Sequence, residues 1–234
     1  MKVLDIGSGS GFPMLELADR LDPGSRVTGI DPAQDALRMI SEKIKARGLS
    51  NAEIITGRAE ELPFGEDAFD LITSNNGLNN VEDLPRAAAE CFRVLKPAGQ
   101  MVFTVNLPHT FTEFYEVFED VLASGGRTAE SEKLKDHVFM KRKPVEYLQR
   151  LMLQTGFIIG SVQVDGFRYR FESGTAFFNH SMIREYFMPA WKSILSADSQ
   201  ETVLRELEVR LNRIAAEKGW LDMSVPFATF DLSK

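Results

Sequence analysis

The stretch Val3-Leu4-Asp5-Ile6-Gly7-Ser8-Gly9-Ser10-Gly11 constrains this chain more than any other. Val3, Leu4 and Ile6 form the short apolar run of a strand buried on both faces of a parallel sheet. Three glycines at alternate positions follow, and Pro13-Met14-Leu15-Glu16-Leu17-Ala18 then opens a helix. Proline is tolerated in a first helical turn, where its missing N–H is no loss. Strand, glycine turn and helix together present backbone amides and a helix N-terminus to a ligand.

Spacing matters more than glycine count. A dinucleotide fingerprint requires G-x-G-x-x-G. Gly7, Gly9 and Gly11 read G-x-G-x-G, and Phe12 follows, which removes a nicotinamide oxidoreductase from consideration. An acid, Asp5, stands inside the strand end, and a second strand, Ser25-Arg26-Val27-Thr28-Gly29-Ile30, ends in Asp31-Pro32. An acid at the end of the second strand can accept hydrogen bonds from both hydroxyls of a ribose. The run from Asp5 to Gly11 resembles motif I of the class I S-adenosylmethionine (SAM)-dependent methyltransferases. That resemblance implies SAM as cofactor and S-adenosylhomocysteine as product. It places Asp5, Gly7, Ser8, Gly9, Gly11, Asp31 and Pro32 around the cofactor.

A helix follows with Leu37, Ile40 and Ile44 at helical spacing, stopped by Arg47-Gly48, and Ala52 to Thr56 reads as a third strand. Gly57 to Phe64 then resembles the segment with which the family contacts adenine. There the resemblance points to Ala59 and Glu60, with Arg58 standing where an acid is common. Phe69 to Ser74 is a fourth strand, and Asn75, Asn76, Asn79 and Asn80 crowd its carboxyl end, where ligands bind in open α/β sheets. Asn75 is the member of this group nearest the strand mouth. Gly77-Leu78-Asn79-Asn80-Val81 with Arg93-Val94-Leu95-Lys96-Pro97 resembles the small-molecule branch that includes the quinone C-methyltransferases. The base-clamping [Asn/Asp]-Pro-Pro-[Tyr/Phe] motif of amino methyltransferases is not there.

Residues 84–95 read as a helix with Cys91 on its packed face, 96–99 as a turn and 100–105 as a fifth strand. The order predicts an α/β, doubly wound, Rossmann-like sheet of seven strands. Residues 111–122 are an amphipathic helix, and the polar, glycine-containing 124–143 reads as a mobile connection, so that 107–143 forms a lid. Residues 144–155 return to helix, and a sixth strand covers 161–171, with Asp165-Gly166 as a hairpin turn or a bulge. Residues 174–219 are helical and aromatic, and 225–231 reads as the last, antiparallel strand. The expectation is one domain over 1–234 with a helical cap insertion at 174–219. A helical insertion before a short closing strand is also similar to the malonyl-acyl-carrier O-methyltransferases.

Chemistry and charge narrow the function. Methyl transfer needs positioning and exclusion of water, and a base only for a protonated nucleophile. His109 and His180 are the candidate bases by position; His137 lies apart from both, and no metal-ligand spacing is visible. A net charge of −7 without a basic run argues against nucleic acid as partner. No signal peptide or membrane-length apolar run is visible, which makes the cytoplasm the expected location and stable membrane insertion unexpected. The partner is a small-molecule substrate, and the protein is expected to be a monomer or homodimer. The family's usual helix before motif I has no counterpart here, implying truncation or cover from elsewhere in the chain. A non-catalytic SAM-binding regulator is the competing reading.

Overall fold

The computed structural model describes residues 1–234. Their contacts divide the chain into two compact units. The first comprises Met1–Asn106, Pro144–Asp165 and Phe227–Lys234, and the second Leu107–Lys143 and Gly166–Pro226. The two stretches expected to act as lid and cap thus fall in the same unit.

The first unit is built on β1 (Lys2–Ile6), β2 (Arg26–Asp31), β3 (Ala52–Thr56), β4 (Phe69–Asn75) and β5 (Leu95–Asn106). They belong to a seven-stranded sheet completed by β6 (Ile158–Phe171) and β7 (Leu221–Ser233), in the order β3-β2-β1-β4-β5-β7-β6. β1 pairs in parallel with β2 on one side and β4 on the other, so that Val3 lies opposite both Val27 and Leu71. A strand covered on both faces must be apolar throughout, and all of β1 after Lys2 is buried. β7 runs antiparallel to β5, from Gln100 opposite Ser233 to Asn106 opposite Phe227. The seven-stranded, doubly wound order with an antiparallel closing strand is the one the sequence predicts.

The helices of this unit are α1 (Met14–Arg20), α2 (Gln34–Arg47), α3 (Leu84–Val94) and α6 (Val145–Thr155). α2 stops at Gly48, whose left-handed backbone lets its N–H reach the carbonyls of Ile44 and Lys45. α3 starts where the Asp83 side chain accepts from the Arg86 N–H at 3.0 Å, and it buries Ala87, Ala88, Cys91 and Val94. Burial pushes the Cys91 thiol up to about 12, with the Glu90 charge adding, as befits a packed core thiol. Met14, Leu15 and Ala18 of α1 and Ile40 of α2 pack with Val3 and Val27 into one apolar cluster.

In the second unit, α4 (Thr112–Ser124), α5 (Thr128–Lys141), α7 (Gly174–Asn179), α8 (Met188–Ile194) and α9 (Ala197–Lys218) enclose an aromatic core. The Phe114 ring stacks on Trp191 at 4.2 Å between centroids, and Phe177 stacks on the same indole at 5.9 Å. The Trp191 Nε1–H donates to the Tyr115 hydroxyl at 3.1 Å, so the buried indole has a polar partner. A second tie is Glu130, whose carboxylate accepts from the Ser196 N–H and the Ser199 hydroxyl, both at 2.8 Å, at the start of α9. Burial works against that charge, and the donors from Ser196, Ser199 and Arg127 outweigh it, leaving Glu130 below the usual carboxylate range.

Several local expectations are corrected. Residues 128–141 are helix rather than an irregular connection: Leu134 and Glu130 are buried, and that tertiary anchoring outweighs the polar composition. β5 begins at Leu95, because Leu95 pairs with Phe69 before Lys96–Gly99 loops out and Gln100 resumes opposite Leu71. β6 is one continuous strand from Ile158, with neither a hairpin at Asp165-Gly166 nor a start at Ser161. The helical stretch 174–219 is broken by a π-helical segment at Ile183–Phe187, and β7 begins at Leu221. No helix is long and apolar enough to cross a membrane. Phe177 is fully buried, so Phe177→Ala should cost about 3–5 kcal/mol in urea denaturation, through lost transfer energy and the cavity left behind.

Candidate functional site

The turn after β1 is shaped by close backbone approach. Gly7 has φ of 68°, and a Cβ there would lie 2.6 Å from the Cα of Gly77. A Cβ on Gly77 would in turn lie 2.3 Å from the Ile6 carbonyl oxygen. The turns following β1 and β4 therefore touch main chain to main chain, at the point where strand order reverses. Ser8 is buried and its hydroxyl donates to the Asp5 carbonyl at 3.1 Å. The Gly7 N–H donates to the Ile30 carbonyl at 2.9 Å and the Gly11 N–H to the Ser8 carbonyl at 2.7 Å, closing the turn. Gly29, inside β2, leaves room for the Ser8 hydroxyl and the Met14 sulfur, each within 2.6 Å of where its Cβ would stand.

The sequence reading of Asp31 receives an addition. Its Oδ2 accepts from the Gly9 N–H and its Oδ1 from the Ala33 N–H, each at 2.9 Å. The carboxylate clips the glycine turn to the end of β2, with Pro32 in the intervening bend, and each oxygen retains a second acceptor site. Asp5 is in the opposite condition. It is completely buried; Thr73 donates to Oδ1 at 2.7 Å, and Oδ2 has no partner. Burial pushes Asp5 up to about 7 against the Thr73 hydrogen bond, and the negative charge of Asp31 adds to the rise.

The residues after β4 divide their duties. Asn75 accepts from the Thr104 hydroxyl at 2.6 Å. Asn79 both accepts from the Asn106 N–H and donates to its carbonyl, at 3.0 and 3.2 Å, fixing the 3₁₀ turn Gly77–Asn80 to the end of β5. Asn76 has a left-handed backbone with φ of 61°, and its buried Oδ1 has no partner. Two buried side-chain oxygens without partners thus stand beside the glycine turn, Asp5 Oδ2 within β1 and Asn76 Oδ1 just after β4. A buried polar atom left unpaired costs on the order of 1–3 kcal/mol, so a donor supplied by a ligand would find both ready. Sequence reasoning missed Gly29 and Thr73, and it named Asn76 and Gly77 without separating Asn76 from its cluster or giving Gly77 its contact with Gly7; a glycine inside a strand pattern, as at position 29, is the one signal that could have been used.

In the segment after β3, Ala59 and Glu60 are both buried. Glu60 accepts from the Glu82 N–H at 2.7 Å and the Asp83 N–H at 3.4 Å. Burial opposes its charge, but these amides, its own N–H and Arg58 hold it below the ordinary range. Glu60 Oε1 is therefore occupied in fixing the segment before α3.

The two candidate bases lie in the second unit, and His109 lines a cleft there. Leu107 and Phe111 are held to β7 by N–H bonds to the Pro226 and Ser224 carbonyls, at 2.9 and 2.7 Å. Between them His109 is forced to φ of 71°, and Phe111 to 57°, at roughly 1–2 kcal/mol per residue. His109 lines a cleft of about 430 Å³ with Thr112, Arg168, Ser224 and Val225. His180 is not part of that cleft; it caps α7, packs edge-on against Phe171 at 5.6 Å and is exposed. No three His, Cys, Asp or Glu side chains are grouped to hold a metal ion.

The raised Asp5 fixes the sign of a pH effect. In the folded state it binds a proton between about pH 4 and 7 that the unfolded chain has released, so its contribution to stability falls as pH rises through that window. Asp5→Asn should flatten the decline, which is on the order of a few kcal/mol at most. Urea denaturation at pH 5 and pH 8 measures it, and an unchanged pH slope would contradict the burial of a titrating carboxyl.

Residues 4–103 match a family described as a methyltransferase domain. A demethylmenaquinone methyltransferase of Listeria welshimeri is 40% identical over 99 residues, 42% of either chain. One of Lactococcus lactis is 27% identical over 175 residues, 71% of this chain and 69% of its own. The match to the Listeria relative thus spans less than half of that protein. Among solved structures, a Haemonchus contortus phosphoethanolamine N-methyltransferase in complex with S-adenosyl-L-methionine has a TM-score of 0.59 at 20% identity, covering all of this chain and 48% of its own. The seven-stranded sheet and the match over residues 4–103 make the first unit similar to a methyltransferase domain of class I fold.

Proposed function

We propose that this protein is a SAM-dependent enzyme that transfers a methyl group to a small-molecule acceptor, of the kind named by its demethylmenaquinone methyltransferase relatives. The observation that carries the reading is the glycine turn flanked by two unpaired buried oxygens, Asp5 Oδ2 and Asn76 Oδ1, within the stretch that matches the methyltransferase family. Gly7, Ser8, Gly9 and Gly11 allow a ligand to lie against the main chain, and Asp31 has acceptor capacity left for a ribose. Pro32, Ala59 and Asn75 are read as further cofactor contacts, and Glu60 as the residue that shapes the segment after β3 through the amides it accepts from.

SAM supplies a methyl carbon on a positively charged sulfur. Held by these residues, it would pass that carbon to an electron pair of the acceptor as its carbon–sulfur bond broke, leaving as a neutral thioether. The protein's part is to align the acceptor and exclude water. His109 is the base favoured by geometry, since it lines a cleft, whereas His180 is occupied with Phe171. The lid at 107–143 and the cap at 174–219 are read as acceptor-binding elements. The charge of −7 supports a small molecule over nucleic acid.

Asp31→Ala should weaken S-adenosylhomocysteine binding roughly tenfold to a hundredfold, one or two hydrogen bonds to a charged group. Because Asp31 also clips the turn, Asp31→Asn serves as the milder companion, with calorimetry on both and circular dichroism to confirm folding. Unchanged affinity, or NADH competing with SAM, would overturn the cofactor assignment. Labelled methyl transfer should be seen with a quinol panel that includes demethylmenaquinol. Tight cofactor binding without transfer to any member would favour the regulatory reading. An oligonucleotide should bind no tighter than micromolar at physiological salt.

A further inference from the structure

The second unit carries a cleft whose charge does not fit its surroundings. The chain has 34 acidic and 27 basic residues, yet no Asp or Glu lines this cleft. Its walls are apolar at Phe167, Val225 and Pro226, and its volume of about 430 Å³ lies in the range of small-ligand sites.

The polar groups on its rim are of two kinds. Some are already engaged. The Thr112 hydroxyl donates to the His109 carbonyl at 3.0 Å, and the Ser224 hydroxyl and N–H both donate to the Glu113 carboxylate. Glu113 is thus turned onto Ser224. The remaining two are the His109 imidazole and the Arg168 guanidinium, neither of which has a hydrogen-bond or ion-pair partner. Asp222, the carboxylate whose charge Arg168 feels, is taken by Arg170 at 3.0 Å and by the Trp220 Nε1–H at 3.1 Å. Arg170 is further held over the Trp220 ring, 4.0 Å from its centroid. The neighbouring arginine has therefore captured the local counter-ion, leaving Arg168 as a cation beside an apolar wall.

A guanidinium presents paired N–H donors that match the two oxygens of one carboxylate. The left-handed turn at His109 directs a second nitrogen-bearing side chain to the same cleft, and β7 holds that turn through the Ser224 and Pro226 carbonyls. We propose that this cleft binds a ring-bearing apolar molecule through a carboxylate, with Arg168 as its counter-ion and His109 as a second polar contact. Its role as the acceptor site rests on the methyl-transfer reading; the binding itself does not.

The test uses the full chain and two probes that differ only in charge, 2-naphthoate and 2-naphthamide, titrated by calorimetry with S-adenosylhomocysteine measured alongside. Naphthoate is expected to bind at least tenfold tighter than the amide. Arg168→Ala should reduce naphthoate to the level of the amide while leaving the amide unchanged, and Arg168→Lys should restore part of the difference. His109→Asn, which tolerates the left-handed backbone, should weaken both probes. Equal binding of the two probes, or a preference that survives Arg168→Ala, would overturn the assignment. S-adenosylhomocysteine affinity should be the same in every variant. Failure of the wild type to bind S-adenosylhomocysteine while it still prefers naphthoate would count against methyl transfer and in favour of the cleft.

Discussion

Everything in the first unit depends on two stretches of main chain being allowed to touch. Gly7 and Gly77 meet with no side chain between them, and any Cβ at either position would overlap the backbone of the other turn. That contact lies where the order of strands reverses, between β1 and β4. Open α/β sheets bind ligands outside the carboxyl ends of the strands at such a reversal, and here main chain meets main chain at that point. The other glycines follow from this one. Gly29 admits Ser8 and Met14 from above, and Gly11 lies against Leu15.

The two acids of the crevice show how position decides chemistry. Asp31 stands at the end of its strand, where two backbone amides converge on it, and so it organises the turn as well as offering capacity to a ligand. Asp5 stands inside β1, where Thr73 donates to Oδ1 and Oδ2 is left over. Both are aspartates after an apolar run, and burial, with the charge of Asp31 adding, pushes Asp5 up to about 7.

The second unit solves a different problem. A small set of helices must bury enough surface to hold a strained turn and a shaped cleft. It does so with stacked rings, Phe114, Phe177 and Trp191, and with the buried Glu130 that joins α5 to the start of α9. The rigidity of that core is what lets β7 impose left-handed backbone on His109 and Phe111.

Sequence by itself determined the sheet, its order of elements and the glycine turn, because these follow from local signals: an apolar run of strand length, glycines at alternate positions, acids at strand ends. It also picked out Asp5, Asp31 and the asparagine cluster as chemistry-bearing. It did not determine which of the four asparagines would be structural and which left unpaired, since Asn79 is spent on Asn106 only once β5 lies alongside. Nor did it find the helix at 128–141, whose few buried residues become an apolar face only when a partner helix meets them. The pairing of His109 with Arg168 is of the same kind. They are 59 positions apart in the chain, on a turn and a strand with no shared periodicity. Only the tertiary fold brings them to one cleft, because it is β7, from the far end of the chain, that holds the turn in place.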